Sequence, residues 1–141
     1  MPEPDPLSDA ISRVQALFIE GDVAGAQARY QAMWDEAEQH GDCYQACVVA
    51  HFMAHAQQDT EDQLLWHLRA LAAAEASPDD RVASFYPSLY ANVAEVYLRL
   101  GNVAEARRYC AHAAAVADRL PGDIYGYIIR GLIARIQQSM E

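Results

Sequence analysis

The chain contains no lysine. All ten of its basic residues are arginine, set against twenty Asp and Glu, for a formal net charge of −10. A chain this poor in cations suits neither duplex nucleic acid nor an anionic membrane, since both bind through a positive face. Acidity of this kind keeps a protein soluble, and it favours a partner that is basic or neutral. Cysteine is scarce as well. Cys43, Cys47 and Cys110 contain no C-x-x-C pair and are too few for a disulfide framework. The opening MPEPDPLSD lacks the basic and apolar regions of a signal peptide. No apolar run approaches the roughly 18 residues of a membrane span. The expected location is therefore the cytoplasm, with reduced thiols.

Catalytic signatures are also missing. The sequence holds no HExxH, GxSxG, Walker A or GxGxxG, and no isolated acid pair in an apolar setting. The acidic residues fall in first turns or on polar faces, where they act as solvated charges. No enzyme and no cofactor are expected. Val and Ile do not alternate with polar residues, so strands are not indicated.

Alanine is what the chain has in quantity, 27 of its 141 residues. Hydrophobic residues make up 52%, while seven Gly and six Pro serve as punctuation. That composition favours closely packed helices in one domain. Residues 1–7 read as a flexible tail, and residues 8–139 as the domain. Ser8 is the expected N-cap of a first helix to about Glu20. Gly21-Asp22 ends it, and a second helix runs from Val23 to about Gln39. Gly41-Asp42 repeats the punctuation before a third, Cys43 to about Gln57. After QQDT a fourth covers about Glu61–Glu75. Ser77-Pro78-Asp79-Asp80 starts a fifth, read as one helix kinked at Pro87 and ending at Leu100. The sixth spans Val103 to about Arg119. The seventh follows Pro121-Gly122-Asp123 and ends near Gln138.

Seven helices with short connectors predict an all-α, right-handed stack of antiparallel pairs, each needing a neighbour to cover its apolar face. Residues 90–113 carry the clearest pattern: Tyr90, Val93-Ala94, Tyr97, the turn Gly101, Ala106, Cys110 and Ala113. Leu17, Gly21, Ala26, Tyr30 and Met33 fall in the same register, with Arg13 at a position where Leu is usual. A middle pair places Ala50-His51, Ala54 and Ala70-Leu71, with Gln58 in place of the turn Gly. Tyr127, Gly131 and Ala134 read as an unpaired capping helix. This pattern resembles the bacterial members of the tetratricopeptide repeat (TPR) family, at tandem spacings of roughly 37 and 43 residues instead of the family's 34. The resemblance implies a TPR-like right-handed superhelix of about three repeats plus a C-terminal capping helix. It also implies a protein or peptide partner.

In that family the first helix of each pair lines a concave groove. Carried over, the resemblance places Gln15 and Phe18 there from the first pair, and Val48, Phe52 and His55 from the second. Asn92, Glu95 and Arg99 follow from the third, and Leu132 and Arg135 from the last helix. Asn92 matches an Asn that holds a peptide backbone in many peptide-binding members, since a carboxamide both donates and accepts. The apolar lining suits a helix laid in a groove, so the expected role is a scaffold that binds a peptide or amphipathic helix.

Two other features stand out. The last helix is apolar most of the way round, with Ile128, Leu132 and Ile136 on one side and Ile124, Ile129 and Ile133 on others. Either it docks deeply or these residues form the interface of a homodimeric structural or regulatory subunit. Cys43, Cys47, His51 and His55 recur every four residues on the third helix. Adjacent members share a face, but the stripe spans about 18 Å and cannot close one tetrahedron. A pair completed by His67 would allow a metal- or haem-responsive sensor. Small core thiols and satisfied packing histidines explain the stripe more simply, so no metal ligand is expected.

Overall fold

The computed structural model describes residues 5–141. Among them lie seven α-helices and no strand: α1 (Pro6–Ile19), α2 (Val23–His40), α3 (Cys43–His55), α4 (Thr60–Ala76), α5 (Tyr86–Arg99), α6 (Val103–Ala115) and α7 (Ile124–Ser139). No helix among the described residues is long and apolar enough to cross a membrane.

One turn is used three times. Gly21, Gly41 and Gly101 close α1, α2 and α5 in left-handed conformations, at φ of 95°, 64° and 81°. A side chain there would strain the backbone, which is why glycine recurs. In each case the next residue donates back five positions: Asp22 to Leu17, Asp42 to Ala37, and Asn102 to Tyr97, each at 2.9 Å. That same residue caps the following helix. Asp22 accepts from the Gly25 amide at 2.9 Å, Asp42 from Gln45 at 3.0 Å, and Asn102 from Glu105 at 3.2 Å. A Gly-Asp or Gly-Asn pair thus ends one helix and begins the next. Between α3 and α4 there is no such glycine, and glutamines serve instead. Gln27 donates to the Ala56 carbonyl at 2.9 Å, and Gln63 to that of Gln57 at 2.8 Å.

Several boundaries differ from the sequence reading. Asp5, not Ser8, caps α1. Its carboxylate accepts from the Leu7 amide at 3.1 Å and from the Ser8 hydroxyl at 3.0 Å. Pro6 occupies the first turn, where its missing N–H costs nothing. Of the expected tail, residues 1–4 lie outside the described residues, while Pro6 and Leu7 are already helical. The kinked helix through Pro87 is not formed. Asp80–Phe85 is a 3-10 segment, and α5 begins at Tyr86 with Pro87 in its first turn. Proline cannot donate to the preceding turn and clashes with it, so the helix starts at the proline instead of bending around it. The sixth helix stops at Ala115, followed by a 3-10 turn at Ala117–Arg119.

Consecutive helices pack against one another along the chain, with further contacts of α1 on α3 and of α5 on α7. The core has two parts. The first gathers Ile11, Val14, Ala26 and Tyr30 with Val49, Ala50, Ala54, Trp66, Ala70 and Ala74. The second gathers Ala91, Ala94, Cys110, Ala113, Leu120, Ile129, Ile133 and Ile136. Tyr90 and Tyr109 pack against both. Alanines fully withdrawn from solvent let the helix backbones approach closely, and the few large side chains fill the gaps between them.

Candidate functional site

Side chains of α1, α3 and the start of α5 line a row of shallow depressions. One, of about 150 Å³, is lined by Gln15, Phe18, Tyr30, Phe52, His55 and Ala56. A second, of about 200 Å³, runs from the start of α1 to Tyr44, Val48 and Phe52. The third, of about 210 Å³, lies between Cys47, Val48, His51 and Phe52 of α3 and Phe85, Ser88, Leu89 and Tyr125. Phe52 lines all three. Its ring stacks on buried Tyr30 at a centroid distance of 6.5 Å and meets His51 edge-on at 5.1 Å.

The structure thus brings Gln15, Phe18, Val48, Phe52 and His55 onto one continuous apolar surface. The remaining predicted groove residues are placed differently. Asn92 is only 8% exposed, so its carboxamide sits below the surface instead of being presented to a peptide. Arg99 is engaged within the chain, donating to Gln63 at 2.8 Å and pairing with Glu95 at 3.7 Å. Leu132 is half-buried against the second core. Arg135 is exposed beside Tyr127, Ile128 and Gly131 on α7 and lines none of the three depressions. Tyr125 of α7, which the family resemblance also assigns to the concave face, donates its hydroxyl proton to Ser88 at 2.8 Å and closes one end of the third depression. Only packing brings it there, since it comes from a helix far along the chain.

The expected dimer surface is also divided. Ile129, Ile133 and Ile136 are buried in the second core and offer nothing to another copy. Their burial accounts for much of the hydrophobicity that made α7 look unpartnered, each worth about 1.5–3 kcal/mol. Ile124 and Ile128 remain outside, at 78% and 55% exposure.

Beside the groove, three histidines converge. His51 and His55 are one turn apart on α3, and His67 faces them from α4. Each offers one ligand-type atom, and these atoms all lie within 4.8 Å of one another. Ring centroids are 4.8 Å apart for His51–His55, 5.0 Å for His55–His67 and 6.2 Å for His51–His67. The Nδ1 atoms of His51 and His67 are buried and have no hydrogen-bond partner. An orphaned buried polar atom of this kind costs about 1–3 kcal/mol, so the expectation of satisfied packing histidines fails at two of the three rings.

Burial, reinforced by the neighbouring imidazoles, lowers the pKa of His51 to about 3 and that of His67 to about 2. His55 is exposed, but partial desolvation of its ring against the neighbouring helices also lowers its pKa; Glu95 opposes this and Arg99 adds to it. Imidazoles this acidic accept protons poorly at neutral pH, but each keeps a lone pair. The two cysteines of the stripe do not join the cluster. Cys43 is half-buried. Cys47 is buried, and desolvation pushes its thiol up to about 12, far from the thiolate that ligates or reacts.

A wider depression of about 430 Å³, lined by Trp34, Cys43, Arg69 and small residues of α2 and α4, shares no residue with the groove. Comparison with family models, with curated proteins and with solved structures returned no match. The geometry of the chain itself therefore carries the functional reading.

Proposed function

We propose that this protein is a non-catalytic, TPR-like interaction module that binds an amphipathic helix of a protein partner across the α1–α3–α5 face. The observation that carries the reading is the continuity of three apolar depressions through Phe52. A helix occupies such a row well, because apolar residues at i, i+3 or i+4, and i+7 fall about one turn apart and can enter successive depressions. Phe18, 40% exposed, supplies a further apolar contact at one end. The net charge of −10 favours a partner helix whose polar face is basic.

The test is capture of partners from cytoplasmic extract by wild type and by Phe52→Arg, with crosslink mapping and a melting curve for each. The reading expects crosslinks between Phe18 and Tyr125 that disappear in a variant that still folds. Equal capture by both proteins, or crosslinks confined to other faces, would overturn it. A Phe52→Leu variant, which keeps the apolar surface, should retain most of the binding if Phe52→Arg fails to fold.

A second reading, a homodimer through α7, is favoured by the exposed Ile124, Tyr127 and Ile128, at 78%, 79% and 55%. Light scattering separates the two. A dimer abolished by Ile128→Glu supports the second reading, and a monomer at micromolar concentration removes it.

A further inference from the structure

The groove does not explain why three histidines meet at its edge. We propose that His51, His55 and His67 form a binding site for one divalent first-row transition-metal ion, held by three imidazole nitrogens. The proposal is independent of whether a partner helix occupies the groove.

Geometry comes first. Two ligands one turn apart on a helix, with a third from the facing helix, hold an ion between two rigid elements. In a tetrahedral site with metal–nitrogen distances of about 2.0–2.1 Å, ligand nitrogens stand about 3.3 Å apart. The present atoms lie within 4.8 Å, so closure needs only a shift of about 1.5 Å, within reach of small side-chain rotations. The second observation is independent of that spacing. Two buried Nδ1 atoms are left without partners, and an ion coordinated through Nδ1 would satisfy them. Access is open, because His55 is exposed and lines the same depression as Phe18 and Phe52.

The donor set narrows the ion. Three neutral imidazoles suit zinc, copper, nickel or cobalt, while magnesium and calcium require oxygen ligands. Arg99 is the adverse charge nearby, and Glu95, paired with it at 3.7 Å, offsets it. Three protein ligands leave one coordination position for water or an incoming group.

The experiment uses untagged full-length protein, stripped with a chelator and titrated with zinc, nickel, copper and cobalt salts by calorimetry. The expected result is one ion per chain with a Kd of 1 μM or tighter for at least one metal. A saturating ion should raise Tm by about 5 °C or more. Both His55→Gln and His67→Gln should weaken binding at least about tenfold. His55 is exposed, so its variant keeps the fold even if the buried change at His67 does not. A His40→Gln/His112→Gln variant, altering histidines outside the cluster, should bind as wild type does. No binding at 100 μM metal would overturn the proposal. So would binding unchanged in His55→Gln, or a stoichiometry that falls with His40 and His112.

Discussion

Tyr125 of α7 donates its phenolic proton to the hydroxyl of Ser88 on α5 across 2.8 Å, and Ser88 in turn donates to the Phe85 carbonyl at 3.0 Å. This relay pins the start of α7 to the start of α5 and closes one end of the groove. A single intramolecular hydrogen bond is worth about 0.5–1.5 kcal/mol. Tyr125→Phe should therefore lower stability by about 1 kcal/mol in urea titrations. Hydrogen exchange should also quicken at the first turns of α7 while that of α3 and α4 stays unchanged.

The two faces of α7 should respond differently to truncation. Ile129 is buried at 8% exposure, whereas its neighbour Ile128 is 55% exposed. Ile129→Ala leaves a cavity and should cost about 2–4 kcal/mol. Ile128→Ala should change the stability of the monomer by less than about 0.5 kcal/mol. Equal losses in denaturant melts would mean that both sides of α7 are covered.

Gly126 predicts a tight spot that its neighbours cannot easily relieve. A Cβ built there would stand 1.8 Å from the Pro121 carbonyl oxygen, which is backbone. Gly126→Ala should destabilise the protein by about 1–3 kcal/mol through overpacking, although alanine favours helices elsewhere. Thermal melts of Gly126→Ala beside Gly122→Ala make the comparison, since a Cβ at Gly122 meets nothing within 4 Å.

Acid should unfold the metal-free protein through its buried histidines. In the unfolded chain each imidazole titrates near 6.5, while folding holds His51 at about 3 and His67 at about 2. Between those values the unfolded state carries more protons, so protonation favours unfolding. This share of stability is fully present above pH 6.5 and is lost as pH falls toward 3. The slope is up to about 1.4 kcal/mol per pH unit for each histidine. Urea midpoints measured with chelator from pH 7 to pH 4 should show it, and His67→Gln should flatten the curve.

Much of the fold was legible in the residues themselves. The three Gly-Asp and Gly-Asn pairs announced their turns because a left-handed residue followed by a capping side chain is a local requirement. Ser8 misled because Asp5, three residues earlier, competes for the same role and wins through its charge and its position before Pro6. The segment at residues 80–86 misled because helical spacing continues through it, while Pro87 denies it the hydrogen bond that a continuous helix needs. Phe18, Val48 and Phe52, which the family resemblance assigned to the concave face, do line the depressions. Arg135 does not, because its distance from them depends on how α7 settles against α5 and α6.

The order of helices, their caps and the recurrence of one turn were determined by sequence alone, since each depends on residues within a few positions of one another. Which isoleucines of α7 became core, how Tyr125 reached Ser88, and that His67 would face His51 and His55 were decided by tertiary structure. Those outcomes depend on the axial register and rotation of one helix against the next. Close packing of small and large side chains sets that register, and no single helix carries the information.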